Sequence, residues 1–317
     1  MRKNSIILQI VCVVFLLQVN IACRENSKDI HRNTNVTSGR DNSNLPKIPL
    51  IITKQSEQMN YLADHYWDGF SFSDTVSAET PTVENHFVEY LNILAQVPPN
   101  ISKDAISRLM KNCDQNAKVS MRFFSLSEKY LYDPNSSLRN EPLYIEVLKC
   151  VLTNKKLPDI YKIRPSHQYK LACRNTPGSK AASFEFRTAA GKKGLLYKIK
   201  SPYLLIYFNN PGCGDCKRVC GLLKRSTVIN SSINSGKLKI LSVFPDEDLT
   251  EWKKENSSIP SSWINAFNPD ATVKNNNIYD LKAIPSLYLL DQYKNVILKD
   301  ALFEDVEKFI VTNAESK

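Results

Sequence analysis

Three cysteines lie within eight residues of one another, in the stretch FNNPGCGDCKRVC that runs from Phe208 to Cys220. Cys213 and Cys216 have the spacing Cys-x-x-Cys, which suits a redox-active dithiol, half of a metal site or a structural disulfide. Cys213 follows an apolar run of strand length and begins a helical pattern, so its sulfur should lie at the positive end of a helix dipole. That position favours the thiolate form. We therefore expect Cys213 to attack disulfides, and Cys216, one helical turn later, to be shielded and to resolve the mixed disulfide.

A second candidate element is the stretch AIPSLYLLD, which places Pro285 directly before a strand. A proline at the start of a strand has no N–H to donate to the sheet. We expect a cis peptide bond between Ile284 and Pro285, which would bring this loop against the dithiol. The backbone of Ile284 would then be exposed for pairing with an extended peptide, so both residues are predicted to bind substrate.

The first half of the chain has the apolar spacing of helices. Between residues 51 and 175 no stretch alternates like a strand, and we predict an all-α domain of five or six packed helices. The predicted landmarks are an N-cap at Thr80 with Pro81 in the first turn, a helix after Ser102, a stop at Asp133-Pro134, a start at Asn140 and an interruption at Pro165.

The second half of the chain, residues 176–317, alternates between strands and helices. Three apolar runs have the length of buried strands, namely YLLIYF, LKILSVF and SLYLLD. The predicted element order is β-β, β-α-β-α, β-β-α. The predicted fold class is thus an all-α N-terminal domain followed by an α/β domain with a central sheet flanked by helices.

Length and charge limit the remaining classes of function. A chain of 317 residues is too long for one ordinary core and suits two domains. Its net charge of +10 is scattered along the sequence, and no nucleic-acid motif is present, so we expect no nucleic acid as a partner. Solubility or attraction to an anionic membrane surface explains the charge.

The first 22 residues have the layout of a secretory signal peptide. Arg2 and Lys3 form a basic start, residues 6–19 are apolar apart from Gln9, and Ala22 precedes the expected cut. A permanent signal anchor is the alternative. Export would place the mature chain in an oxidising compartment, where disulfides persist.

Cys23 follows Ala22 as the lipidated cysteine does in bacterial lipoproteins, although Asn20 replaces the usual aliphatic residue. Residues 23–50 are polar and suit a tether. We predict an exported protein of the bacterial cell envelope, facing the periplasm or held at the outer membrane by a lipid anchor on Cys23.

These motifs, taken in order, resemble thioredoxin. The resemblance extends over residues 176–317, in the order strand, Cys-x-x-Cys, helix, strand, helix, Ile-Pro-Ser, hairpin and final helix. The hairpin before this series, PGSKAASFEF…GKKGLLYKIK, is similar to membrane-tethered reductases of cytochrome c maturation. The resemblance implies that Cys213 is the nucleophile, Cys216 the resolving thiol and Pro285 the cis-proline. The segments YWDGFSFSD and YLYDPNSSLRNEPLY resemble a helical domain of unknown function in Gram-negative envelope lipoproteins, which implies no mechanism.

The sequence departs from thioredoxin at three positions around the dithiol. Gly214-Asp215 replaces Gly-Pro, and the carboxylate of Asp215 should disfavour a nearby thiolate. Tyr207 replaces a buried acid, so proton transfer at Cys216 would need another group or water. Gly212 replaces an aromatic residue.

Several side chains near the dithiol have two interpretations each. Cys220 is either a buried spectator or a second resolving or regulatory thiol. Trp252 and Trp263, in the long segment 245–277, either lean over the active site or pack on the domain. The acidic run from Asp246 to Asp248 either reaches the dithiol or caps a helix.

The leading hypothesis is a thiol–disulfide oxidoreductase that acts on the thiols or disulfides of proteins. No organic cofactor is expected, because the dithiol is the redox centre, and an upstream electron donor or acceptor is required. The alternative is a membrane-tethered thioredoxin-fold scaffold without catalysis. A metal site is not expected, because one Cys-x-x-Cys is half of a zinc site and no second pair follows at the usual spacing.

Overall fold

The first half of the chain is helical, as predicted. The structure is a computed structural model that describes residues 46–254 and 258–314. A π-helical turn, Glu128–Tyr132, follows the helix Ala117–Ser127 directly, and a 3₁₀ turn, Asp159–Lys162, precedes the helix Ile163–Ala172. In the described residues before the first strand the α-helices are α1 Gln55–His65, α2 Thr75–Ala78, α3 Pro81–Leu94, α4 Pro99–Cys113, α5 Ala117–Ser127, α6 Glu141–Thr153 and α7 Ile163–Ala172.

Two of the predicted helix starts are confirmed by their caps. The Thr80 hydroxyl accepts a hydrogen bond from the Val83 N–H at 3.4 Å, and Asn140 Oδ1 accepts from the Leu143 N–H at 3.2 Å. Each helix has a proline in its first turn, where a backbone N–H would have no partner within the helix. The predicted stop at Asp133-Pro134 also holds, because the π-helical turn ends at Tyr132.

Other predictions in this half were wrong in detail. Helix α4 begins at Pro99 rather than after Ser102, which is buried inside the helix and donates its hydroxyl to the Pro99 carbonyl. Pro165 does not interrupt the last helix, because it lies in the first turn of α7. Helix α2, a single turn capped by Asp74, was not predicted.

The second half forms a mixed sheet with strand order β2-β1-β5-β4-β3-β6-β7. Strand β3 is central, parallel to β4 and antiparallel to β6. The described strands are β1 Glu185–Thr188, β2 Lys193–Leu195, β3 Tyr203–Phe208, β4 Leu238–Phe244, β5 Ile264–Phe267, β6 Ser286–Leu290 and β7 Val296–Ala301. Strand β5 was not predicted; it pairs with β4 and with β1.

Strand β3 is apolar along its whole length because it is buried on both faces of the sheet. Leu204, Ile206 and Phe208 pack into the core on one face, whereas Leu205 and Tyr207 pack on the other, against the helices Gly214–Arg225 and Phe303–Ala314. The described helices of this half are α8 Gly214–Arg225, α9 Thr227–Asn234, α10 Thr250–Lys254, α11 Thr272–Asn275 and α12 Phe303–Ala314.

The change from helices to strands occurs after α7, close to the boundary predicted between residues 175 and 176. Both halves lie in one compact unit that begins at Pro46, and their separation into two domains stays a prediction. In the residues that the structure describes, no helix has both the length and the apolar character needed to span a bilayer. The predicted signal peptide, Cys23 and residues 23–45 of the tether lie outside the described residues.

Candidate dithiol site

Cys213 is the N-cap residue of α8, directly after the loop that follows β3. Its sulfur accepts a hydrogen bond from the Cys216 N–H at 3.3 Å. The thiol also donates to the carbonyl oxygen of Ile284, with 3.4 Å between sulfur and oxygen. Because the Cys213 side chain is only half-buried, a substrate sulfur can approach it. The position at the start of a helix agrees with the sequence-based expectation.

Cys216 lies one turn further along α8 and is buried, with 2% of its surface exposed. Burial raises the pKa of the Cys216 thiol strongly. The Asn210 N–H donates a hydrogen bond to the sulfur at 3.4 Å and lowers this pKa, whereas the neighbouring Cys213 raises it further. The thiol is therefore protonated at neutral pH. This arrangement fits the expected division between an accessible and a shielded cysteine.

The peptide bond between Ile284 and Pro285 is cis, as expected from the sequence. The pairing of β6 with β3 brings this loop to the dithiol. Ser286 is opposite Phe208 in the antiparallel register, so Pro285 and Ile284 continue past the end of β3, where the chain turns into α8. The hydrogen bond between Cys213 and Ile284 is the direct contact between the two predicted elements.

Asp215 points away from the dithiol toward the surface of α8. Its side chain is 71% exposed, and its carboxylate accepts a hydrogen bond from Arg218 Nε at 3.3 Å. The carboxylate adds to the raised pKa of Cys216, as the smallest of the causes. This is the direction expected from the sequence.

Tyr207, which occupies the position of the acid in thioredoxin, is engaged with the backbone. Its hydroxyl donates to the Cys216 carbonyl oxygen at 2.7 Å. Burial raises the pKa of Tyr207, with smaller contributions from the three cysteines of the site, so the phenol stays neutral. The hydroxyl joins β3 to α8 and is not directed at a sulfur.

Behind the dithiol is a cavity of about 250 Å³ whose lining includes Cys216, Cys220, Lys224 and Trp252. Cys220 is buried; burial raises the pKa of its thiol and the Lys224 ammonium group opposes the rise. Trp252 packs edge-on against Phe267, with 5.1 Å between the ring centres. Trp252 thus borders the site from behind and is part of the domain packing.

The remaining candidate residues, Trp263 and the acidic run from Asp246 to Asp248, agree with their structural interpretation rather than with a role at the dithiol. Trp263 is buried and packs edge-on against Tyr207. Asp246 pairs with Lys274. The Glu247 carboxylate accepts a hydrogen bond from the Asn275 side chain, and Asp248 accepts from the backbone N–H of Thr250 at the start of α10. These three acids are bound to α10 and α11 rather than to the dithiol.

The alternative of a metal site gains no support from the described part of the chain. No three histidine, cysteine, aspartate or glutamate side chains there are grouped so that they could hold a metal ion.

Sequence reasoning missed a buried charged cluster between the helical half and the Ile284–Pro285 loop. Lys282 Nζ lies 3.2 Å from Glu141 Oε1, 3.1 Å from Asp280 Oδ2 and 4.1 Å from the centre of the Tyr132 ring. Lys299 Nζ lies 2.7 Å from Glu141 Oε2. In the sequence, Glu141 indicated only the start of α6. Its partners Lys282 and Lys299 are far from it along the chain.

A second contact between the halves is centred on Asp300 in β7. The Arg139 guanidinium lies 2.9 Å from Asp300 Oδ2 and donates to the Asp300 carbonyl oxygen at 2.9 Å. The Ser286 hydroxyl donates to Asp300 Oδ1 at 2.9 Å. Residues of the helical half are therefore connected to both sides of the cis-proline loop.

The state of Cys216 predicts how release of a substrate depends on pH. Starting from a mixed disulfide at Cys213, the rate of release should rise about tenfold per pH unit between pH 6 and pH 9, because only the thiolate of Cys216 attacks and its pKa is raised. Stopped-flow measurement of the released thiol tests this. A rate that is flat over that range would contradict a buried, protonated Cys216.

Tyr207→Phe should leave that pH profile unchanged, because the hydroxyl binds a carbonyl oxygen rather than a sulfur. The expected cost is about 1 kcal/mol in the free energy of unfolding, from the lost hydrogen bond. The same stopped-flow titration, with urea unfolding alongside, measures both. A displaced pH profile would instead identify Tyr207 as a group that moves the proton.

Comparisons with known proteins agree with this architecture. A family model described as a domain of unknown function, DUF5106, matches residues 22–175. The crystal structure of a thioredoxin-like protein from Bacteroides caccae is 39% identical in sequence, covers 84% of this chain and 97% of that chain, and has a TM-score of 0.82. Because 84% exceeds either half alone, the similarity includes both halves and confirms the predicted fold class.

Two further solved structures cover a smaller share of the chain. The C-terminal domain of an uncharacterized protein from Bacteroides fragilis is 44% identical and covers 43% of this chain and 98% of that chain, with a TM-score of 0.43. The thioredoxin domain of a thiol-disulfide oxidoreductase from Bacteroides vulgatus is 25% identical and covers 43% and 98%, with a TM-score of 0.38. The comparison with curated proteins gave no match.

Proposed function

We propose that this chain, which belongs to the thioredoxin-like proteins, is a thiol–disulfide oxidoreductase of the bacterial cell envelope that acts on the thiols and disulfides of other proteins. One observation carries the proposal. A half-exposed Cys213 thiol at the start of α8 contacts the carbonyl oxygen of Ile284, with a buried, protonated Cys216 one turn away. This is the arrangement that attack, and then release, of a bound disulfide requires.

The reaction transfers two electrons without an organic cofactor. In the reducing direction the Cys213 thiolate attacks one sulfur of the substrate disulfide; that bond breaks, and the other sulfur leaves as a thiolate that takes a proton from water. Cys216 then loses its proton to water, and its thiolate attacks the Cys213 sulfur. The bond between Cys213 and the substrate breaks, and the second substrate sulfur leaves as a thiolate that takes a proton from water. The dithiol becomes a disulfide, and a partner protein with a dithiol reduces it again. The reverse steps oxidise a substrate dithiol and need a disulfide-bearing acceptor.

The envelope location is supported by the first residues of the chain. The basic start, the apolar run and Ala22 suit an export signal, and lipidation of Cys23 would hold the mature chain at a membrane. An oxidising compartment supplies protein disulfides as substrates.

Reduction of insulin by dithiothreitol, followed as turbidity, tests the activity. The purified mature chain should accelerate it, and Cys213→Ser should return the rate to the background without protein. Cys220→Ser is the matched control, because Cys220 lies on the same helix and is buried behind the site; it should keep most of the activity. Equal rates with and without Cys213 would refute the proposal.

A further inference from the structure

The loop between α5 and α6, residues 133–140, lies beside the dithiol site and belongs to the helical half, to which no role is assigned. We infer that Pro134, Asn135 and Arg139 of this loop form one wall of the substrate-binding groove, and that the groove binds an extended peptide segment around the reactive cysteine of a protein substrate. The inference rests on the proposed oxidoreductase function and deepens it. It makes the helical half a specificity element.

The groove includes Ile284, the residue that the nucleophile Cys213 contacts. It has a volume of about 210 Å³, and its lining includes Ala283, Ile284 and Pro285 of the cis-proline loop. Because the Ile284 carbonyl oxygen accepts a hydrogen bond from the Cys213 thiol, a peptide bonded through sulfur to Cys213 would enter the groove at this point. Asp215 and Arg218 of α8 lie along one side.

The wall comes from the helical half. Pro134, Asn135 and Arg139 line the same groove as Pro285, although they precede it by about 150 residues in the chain. Asn135 is exposed and Pro134 is half-buried, so both are accessible to a bound peptide.

The wall is held in place on both sides. Within the loop, Asp133 Oδ1 accepts a hydrogen bond from the Asn135 N–H at 2.8 Å, and the Ser136 hydroxyl donates to the Tyr130 carbonyl oxygen at 2.6 Å. Across the groove, Arg139 pairs with Asp300, which accepts from the Ser286 hydroxyl next to Pro285. The groove therefore has a defined width, which a binding site needs in order to select among substrates.

The lining combines apolar and polar groups, as a peptide segment does. Leu302 presents an apolar side chain that is 61% exposed, and Arg218 and Glu304 add charged groups of both signs. An extended segment would place alternate side chains along this lining, whereas a single amino acid bonded to Cys213 has no chain to extend along it.

The test compares two probes that differ only in length. One is the mixed disulfide of thionitrobenzoate with free cysteine; the other is the same disulfide on a mixture of twelve-residue peptides with a central cysteine. Release of thionitrobenzoate by the pre-reduced full-length mature protein is measured in single turnovers against protein concentration, with the rate of Cys213→Ser subtracted. Asn135→Trp narrows the groove, and Ser137→Trp is the matched control, exposed on the same loop but outside the lining.

Asn135→Trp should lower the second-order rate constant for the peptide probe about tenfold, the loss that one good interface contact causes. The same substitution should change the second-order rate constant for the cysteine probe less than about twofold. Ser137→Trp should change neither. Equal effects of Asn135→Trp on the two probes, or no effect on the peptides, would overturn the inference. If Cys213→Ser releases thionitrobenzoate from both probes as fast as the unaltered protein, the proposed function itself fails.

Discussion

Replacing Cys216 by serine should make the protein accumulate a mixed disulfide with its substrate at Cys213. The reactive thiol is retained, and it is half-exposed at the start of α8, so attack on a disulfide continues. The group that completes the exchange is missing, because serine cannot attack the mixed disulfide at neutral pH. Incubation of Cys216→Ser with oxidised insulin, acid quenching and mass mapping should show a covalent adduct at Cys213 in most of the protein.

Two variants serve as controls for this trap. Cys213→Ser should form no adduct at Cys216, which is 2% exposed and carries a thiol of raised pKa. Cys220→Ser should turn over without a stable adduct. If the adduct in Cys216→Ser maps to Cys220, then Cys220 is the second resolving thiol or the nucleophile, and the assignment of roles along α8 is wrong.

Glu141→Gln should lower the free energy of unfolding by about 3 kcal/mol. Glu141 is the partner of both Lys282 and Lys299, whose side chains are only 9% and 3% exposed. Removal of one member of a buried ion cluster leaves uncompensated charge away from water. Asp280 remains beside Lys282, so the loss falls at the lower end of the usual range. Urea unfolding at pH 7, monitored by tryptophan fluorescence, measures it.

Glu146→Gln is the matched control on the same helix. Glu146 pairs with Lys149 at 2.9 Å, but Lys149 is 47% exposed and three residues away, so the expected loss is less than about 0.5 kcal/mol. If the two substitutions cost the same, the cluster between the halves does not stabilise the structure.

The parts of the site that could be predicted from the sequence depend on local patterns. Strand β3 coincides with the apolar run YLLIYF because it is buried on both faces. The helix that follows begins at Gly214, so the position of Cys213 is fixed by one boundary between elements. The loop at Ile284–Pro285 reaches the dithiol because β6 pairs with β3, an arrangement that the resemblance to thioredoxin implied.

The parts that were missed depend on partners distant in sequence. Strand β5 has four residues and an asparagine within it, and it is defined by pairing with β4 and β1 rather than by its own pattern. The pairs Glu141–Lys282 and Arg139–Asp300 join residues more than 140 positions apart, for which a single sequence contains no signal. The start of α4 was predicted too late, after Ser102. Pro98 is the N-cap residue and Ser102 lies inside the helix, although serine is common at N-cap positions.

The most direct test of the central claim is the redox equilibrium of the purified mature protein in graded glutathione buffers, with thiols trapped and mapped by mass. The account predicts one reversible two-electron transition between the dithiol and a Cys213–Cys216 disulfide, absent in Cys213→Ser and present in Cys220→Ser. A potential of about −270 mV would indicate a reductant and one of about −120 mV an oxidant. If the pair never cycles, or is oxidised irreversibly, the dithiol is not a redox centre, and the chain is better explained as a tethered thioredoxin-fold binding module.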